Sequence, residues 1–218
     1  MCLLMRHGRK RRVGGAAEVE LKLEAIVLAA GVGTRFGGAK LLAPWRGSVL
    51  LSGALAAAFA SPVRAVHVVW GGDPAVAGAA AEIAERLDES ARLRLTPAPR
   101  YAEGLSASLA AGVEALPDDA EAAFVFLGDM PRIPAGVTDA LAKALSVGAP
   151  AAAPTFEGRR GHPVLFHRGL WSRLAALTGD RGAADLLVDL GDQLALVPAP
   201  DDGVLFDVDA PGDLSAAS

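Results

Sequence analysis

An α/β fold with a mainly parallel sheet and helices on both faces is predicted by three features of the sequence. From Leu23 onward, short apolar or β-branched runs alternate with segments of helical period. Several of those runs are continuous rather than alternating, as strands covered on both faces are. The chain's 218 residues, 52% of them hydrophobic, suffice to form a substantial core, burying roughly 70% of the surface the unfolded chain exposes.

Strands are expected at 25–29, 65–70, 93–97, 123–127, 149–155, 163–167, 194–197 and 204–208. Between the first two, Leu51, Leu55 and Phe59 recur at intervals of four, placing an apolar stripe on one helix face. Val76, Ala80, Ile83 and Leu87 do the same after the second strand, and Leu105, Leu109, Val113 and Leu116 after Gly104. Val137, Leu141 and Leu145 follow the proline turn at 131–134. Beyond Ala149 the rhythm loosens, with strand-like pieces up to His167 and helices near 170–177 and 183–190. Residues 1–20 combine a short apolar start with a basic run and Gly-Gly, and read as a flexible N-terminal extension to a single domain over 21–218. Within that extension Arg6-His7-Gly8 resembles the signature of histidine phosphatases. No strand holds His7 and basic residues follow it directly, so it reads as a solvated side chain.

With 21% charged residues and a net charge of −4, the composition is that of a mildly acidic globular protein, which argues against a nucleic-acid partner. The single cysteine, Cys2, provides neither an internal disulfide nor a thiolate metal site, in keeping with a reducing cytoplasm. No apolar run approaches the roughly 20 residues a membrane helix requires, so a soluble, cytoplasmic protein is expected.

The chemistry concentrates first in the loop that leaves the first strand, Leu28-Ala29-Ala30-Gly31-Val32-Gly33-Thr34-Arg35-Phe36-Gly37-Gly38-Ala39-Lys40. Glycines without a Cβ let main-chain N–H groups approach an anion. Arg35 offers a planar donor fork and Lys40 a compact positive charge. The loop is not a P-loop, because Ala39 intervenes between Gly38 and Lys40 and Leu41 follows. Nor does it fit a dinucleotide fingerprint: Phe36 stands where a glycine is needed, and 50–54 supply no acidic residue.

Further along come Tyr101-Ala-Glu-Gly104-Leu-Ser106-Ala-Ser108, Gly128-Asp129-Met130-Pro131, Gly158-Arg159-Arg160-Gly161-His162-Pro163 and Asp207-Val-Asp209-Ala-Pro211. Asp129 follows an apolar strand, so its carboxylate is expected at the strand's carboxyl end, where open α/β sheets place their ligands. If 204–208 is a neighbouring strand, Asp207 can share a hard cation with Asp129, with Asp209 pointing to the same side. Taken singly, each aspartate could equally be a turn or capping residue. His67 reads as a core residue and His167 as a strand end. Trp45, Trp70 and Trp171 read as core aromatics.

In order and spacing, from about residue 23 to residue 214, these motifs resemble the MobA-like NTP transferases, and among them the molybdopterin cytidylyltransferases. The resemblance implies a Rossmann-like nucleotide-diphospho-sugar transferase fold with an NTP-binding part at about 23–148 and an acceptor-binding part at about 149–214. It implies nucleotide binding by Ala29, Ala30, Gly31, Gly33, Arg35, Lys40, Gly104, Ser106 and Ser108, with Arg35, Lys40 and Asp129 catalytic. Asp129, Asp207 and Asp209 would hold Mg²⁺. The acceptor would meet Gly161, His162 and Asp180, with Arg159 or Arg160 assisting His162 at its phosphate. Ala29-Ala30-Gly31 is similar to the cytidylyltransferase form, so CTP is expected ahead of GTP. The acceptor implied is molybdopterin, and a molybdenum hydroxylase would use the product. Three other readings stay open: transfer to another small phosphate ester such as a sugar or polyol phosphate, an NAD(P)-binding oxidoreductase, and a noncatalytic cofactor carrier.

Overall fold

Side chains alternate between two hydrophobic cores along the central strand β1 (Leu23–Ala29) of the computed structural model, which describes residues 21–31, 36 and 38–216. Ala25, Val27 and Ala29 pack with Leu55, Ile83 and Leu141 on one face, while Ile26 and Leu28 pack with Leu109, Leu174 and Leu187 on the other. The strand is buried along its whole length, which explains its continuous apolar sequence. Among the described residues, seven helices and nine further strands follow in chain order: β2 (Pro44–Trp45), β3 (Ser48–Val49), α1 (Leu51–Phe59), β4 (Val66–Trp70), α2 (Pro74–Arg86), β5 (Leu93–Pro97), α3 (Leu105–Glu114), β6 (Ala122–Leu127), α4 (Val137–Ser146), β7 (Ala151–Phe156), β8 (Arg159–Arg160), β9 (Val164–His167), α5 (Trp171–Ala175), α6 (Ala184–Leu190), β10 (Leu194–Pro198) and α7 (Asp213–Ala216).

The main sheet has eight strands in the order β10-β7-β9-β6-β1-β4-β5, with β8 paired to β7. β6, β1, β4 and β5 are mutually parallel, and β7 pairs in parallel with β10. β9 alone of the long strands is reversed, antiparallel to both β6 and β7. It is the return arm of the hairpin that β7 and β8 begin, which accounts for the looser rhythm after Ala149. Helices α1, α2 and α4 contribute to the first core, and α3, α5 and α6 to the second, so both faces are covered.

The expected strand at 204–208 is not formed. Asp202–Leu205 is a 3-10 turn and the chain beyond it runs outside any ladder. Val204 is nonetheless fully buried, so its apolar character reflects burial rather than strand pairing.

Parallel pairing brings the carboxyl ends of four strands into one row. Leu28 is in register with Leu127, Ala29 with Trp70, and Trp70 with Pro97. At the opposite end, Glu24 is only 1% exposed. It accepts hydrogen bonds from the Ala65 N–H (3.1 Å) and Arg64 Nε (2.9 Å), and Arg64 also makes a bidentate pair with Asp119. His67 is buried with its Nε2 3.6 Å from Glu24 Oε2. Its predicted place in the core holds, but its environment is ionic rather than purely apolar.

Candidate active site

The row of strand ends forms the floor of a cleft of about 510 Å³. Ala30 and Gly31 reach it from the end of β1, Leu127 and Asp129 from β6, and Gly104 and Ser108 from the start of α3. Asp180 closes the side facing α6, and Lys40 and Leu41 stand on the loop side. Ala29, buried beneath the floor, lines an adjoining recess of about 260 Å³ that also contains Gly71, Gly72 and Asp73.

Lys40 begins a short 3-10 turn, and its ammonium lies 2.6 Å from Asp129 Oδ2 and 3.7 Å from Asp209 Oδ1. Lys40 and Asp129 are 14% and 24% exposed, so the pair is partly shielded from the water that would screen it. Gly33, Arg35 and Gly37 lie outside the described residues.

Asp207 and Asp209 reach this place without the strand expected to carry them. The Val208 N–H donates to the Asp129 carbonyl (3.1 Å), and the His162 N–H donates to the Val204 carbonyl (2.9 Å). Close approach depends on Gly161, where a Cβ would collide with the Val204 carbonyl oxygen. Asp213, at the start of α7, accepts the N–H groups of Asp209 and Ala210 at 3.0 and 2.8 Å and fixes the backbone there. The Asp207 carboxyl is pushed above the ordinary range by desolvation first, then by the carboxylates of Asp209 and Asp129. Such crowding of like charge favours a cation. Among the described residues no three carboxylate, imidazole or thiol groups converge as a ready-made metal cage. An all-oxygen donor set that leaves shell positions to water and phosphate suits Mg²⁺ chemistry.

At the far wall, Gly104 has φ +112° and a Cβ there would strike Asp180 Oδ1. Its lack of a side chain lets the 179–180 segment press against the start of α3, where the Ser106 N–H donates to the Gly179 carbonyl at 3.1 Å. Ser108 lines the cleft. Ser106 is fully buried, its Oγ without a partner, and does not line the cleft. Asp180 does not cap the following helix, whose N-cap is Ala183.

His162 lies in the wall of a cavity beside the cleft, together with Arg160, Leu109 and Phe166. Burial pushes its imidazole below the ordinary range, with a backbone hydrogen bond to Val125 opposing in part. Its Nδ1 is buried and has no partner. Arg159 and Arg160 are exposed on β8, and only Arg160 shares a cavity wall with His162. His167 ends β9 as expected and accepts the Gly169 N–H.

Tyr101 is a site residue that sequence reasoning passed over. It lines both the cleft and the recess, and its ring lies against Gly71 and Gly72, where added Cβ atoms would run into it. The available signal was Gly71-Gly72 directly after an apolar strand, a place where backbone and ring approach closely.

Known proteins resemble the chain in sequence and in fold. Over 196 residues the chain is 25% identical to the molybdenum cofactor cytidylyltransferase of Escherichia coli, with 89% of this chain and 95% of that protein covered. A crystal structure of an Rv0371c homologue from Mycobacterium sp. strain JC1 is 30% identical, covering 89% of this chain and 96% of its own, with a TM-score of 0.70. The 4-diphosphocytidyl-2C-methyl-D-erythritol synthase of Anaerococcus prevotii is 16% identical with a TM-score of 0.72, covering 94% of this chain and 97% of its own, a likeness of fold alone. The MobA-like NTP transferase domain matches residues 25–194, from the first strand through the cleft and into β10. The chain therefore belongs to the MobA-like NTP transferase family, a family of nucleotidyltransferases.

Proposed function

We propose that this protein transfers CMP from CTP to the terminal phosphate of molybdopterin, releasing pyrophosphate and providing a cytosine dinucleotide cofactor to a molybdenum hydroxylase. The observation that carries the reading is Lys40 held against Asp129 and Asp209 at the carboxyl end of the parallel sheet. A cation donor and carboxylates meet there beside a cleft with room for a nucleotide. The 25% identity to the molybdenum cofactor cytidylyltransferase of Escherichia coli supports the choice of acceptor, and Ala29-Ala30-Gly31 supports CTP over GTP.

In this reading residues 23–148 hold the NTP and 149–214 the acceptor. Lys40 and Arg35 neutralise the triphosphate, while the N–H groups of Ala30 and Gly31 face it from the floor. Gly104 and Ser108 bound the nucleotide on the α3 side. Asp129, with Asp207 and Asp209, would hold Mg²⁺, which when bound supplies charge neutralisation at the phosphate oxygens. An oxygen of the acceptor phosphate forms the new bond to the α-phosphorus, and the bond from the α-phosphorus to the bridging oxygen breaks as pyrophosphate leaves. A phosphate monoester has a second pKa near ~6 and is largely dianionic at neutral pH, so no strong base is required. The residues serve alignment and electrostatic stabilisation.

Incubation with Mg²⁺, molybdopterin and each NTP in turn, with pyrophosphate as the readout, tests the proposal. Release with CTP well above that with GTP, ATP or UTP is expected. Release only with a sugar or polyol phosphate as acceptor would replace molybdopterin, and no release with any NTP would defeat the transferase reading.

A further inference from the structure

Lys40 lines both the cleft and the recess beside it, as do Ala30 and Gly31. Its backbone is fixed. The Lys40 N–H donates to the Gly38 carbonyl at 2.7 Å, the Ala43 N–H donates to the Lys40 carbonyl at 3.1 Å, and the next residue, Leu41, is buried in the first core. The side chain is a flexible stem that ends in a compact charge, so the ammonium can change partner while the turn stays in place. Its present partners are carboxylates: it donates to Asp129 Oδ2 at 2.6 Å and stands 3.7 Å from Asp209 Oδ1. Those two side chains are among the three assigned to Mg²⁺. Such an ion binds a carboxylate oxygen at about 2.0–2.1 Å. On the same Asp129 oxygen it would lie within a few ångströms of the ammonium, where like charges repel strongly. Partial shielding of the pair from water leaves that repulsion poorly screened.

We propose that Lys40 is a displaceable counter-ion, holding the metal's place beside Asp129 and Asp209 until a triphosphate draws the ammonium away, so that divalent metal joins the protein with the nucleotide or after it and not before. The inference rests on reading the cleft as the nucleotidyl-transfer site and adds to it an order of binding. A triphosphate offers the ammonium several anionic oxygens, in the space that Gly31 also lines, in exchange for one carboxylate. The same movement frees Asp129 as the phosphate oxygens that complete an Mg²⁺ shell arrive. Metal is thereby kept off the carboxylates while no phosphate is there to share it. Among the described residues lining the cleft and the recess, Lys40 is the only cation, so the exchange falls to it.

The test titrates Mn²⁺, an oxygen-binding stand-in for Mg²⁺ that electron paramagnetic resonance detects, into the full chain with no nucleotide present. Wild-type protein should bind Mn²⁺ weakly, and Lys40→Met should bind it about tenfold more tightly. Lys40→Gln, which also removes the charge but keeps a polar end, should do the same, and it serves if the Met variant does not fold. Salt separates a cation in contact from one acting at a distance. In about 1 M NaCl the Debye length is about 3 Å, and the ratio between variant and wild type should persist. Equal Mn²⁺ affinity in wild type and variants, or a ratio that vanishes at high salt, would overturn the proposal. CTP binding by wild-type protein without metal separates the two readings: equal Mn²⁺ affinities with CTP binding intact defeat this inference alone, whereas absence of CTP binding defeats the transferase reading beneath it.

Discussion

Lys40 and Asp129, 2.6 Å apart, neutralise each other in the cleft proposed to receive the triphosphate. In the proposed reaction their roles would diverge, the ammonium turning to phosphate and the carboxylate to the metal. Asp129→Asn removes the charge without changing the shape, so turnover should fall about 100- to 1,000-fold while the thermal unfolding midpoint stays close to wild type. Steady-state pyrophosphate release checks this, and near-normal turnover would remove Asp129 from its assigned role. Lys40→Met should lower kcat/KM for CTP by about 100-fold, measured in the same assay. At this scale the sequence revealed the polar chemistry but not the surroundings. Lys40 and Asp129 were legible because the strand-loop grammar places them at a strand's end. The apolar cavity that His162 lines was not, because Leu28, Val164 and Leu187 converge on it from three separate segments.

Among the elements, the stretch 202–209, which joins no ladder, shows how an acidic site is built without a strand. An apolar run such as Val204-Leu205-Phe206 looks the same in sequence whether it pairs in a ladder or buries one side chain from a turn. Two backbone hydrogen bonds, to Asp129 and from His162, hold it instead. Gly161→Ala would drive a Cβ into the Val204 carbonyl and displace this stretch. The expected outcome is a several-fold rise in the Mg²⁺ concentration needed for half-maximal activity, with CTP binding in the absence of metal unchanged. Equal Mg²⁺ dependence in wild type and variant would show that the stretch does not position metal ligands. The parallel strands and their helices were readable because continuous apolar runs and intervals of three and four carry clear periodicity. The reversal of β9 was not, since its direction is set by the return of the chain along β7 rather than by composition.

Across the whole molecule, the two ends of the sheet carry charge for different purposes. The cleft crowds carboxylates for a ligand, whereas Glu24 at the far end is buried in a network with Arg64, His67 and Asp119 that ties β1 to β4 and to the approach to β6. Burial pushes the Glu24 carboxyl up, but the contacts from His67 and Arg64 outweigh it, and the group sits below its ordinary range. A folded-state pKa below the unfolded value contributes stability that is fully present above the ordinary carboxylate range and is lost as pH falls through the folded pKa. Glu24→Gln should destabilise the protein by about 3 kcal/mol near neutral pH. Urea unfolding should show this gap constant from about pH 8 to pH 5 and shrinking below about pH 4. A gap independent of pH would mean that the charge of Glu24 contributes nothing.

The central claim, nucleotidyl transfer to a phosphate acceptor, is tested most directly by following the label of CTP. With CTP radiolabelled at the α-phosphate, Mg²⁺ and molybdopterin, the account predicts label in the pterin product, unlabelled pyrophosphate, and loss of both in Asp129→Asn. Label that stays in CTP, or appears only in free CMP irrespective of acceptor, would contradict it.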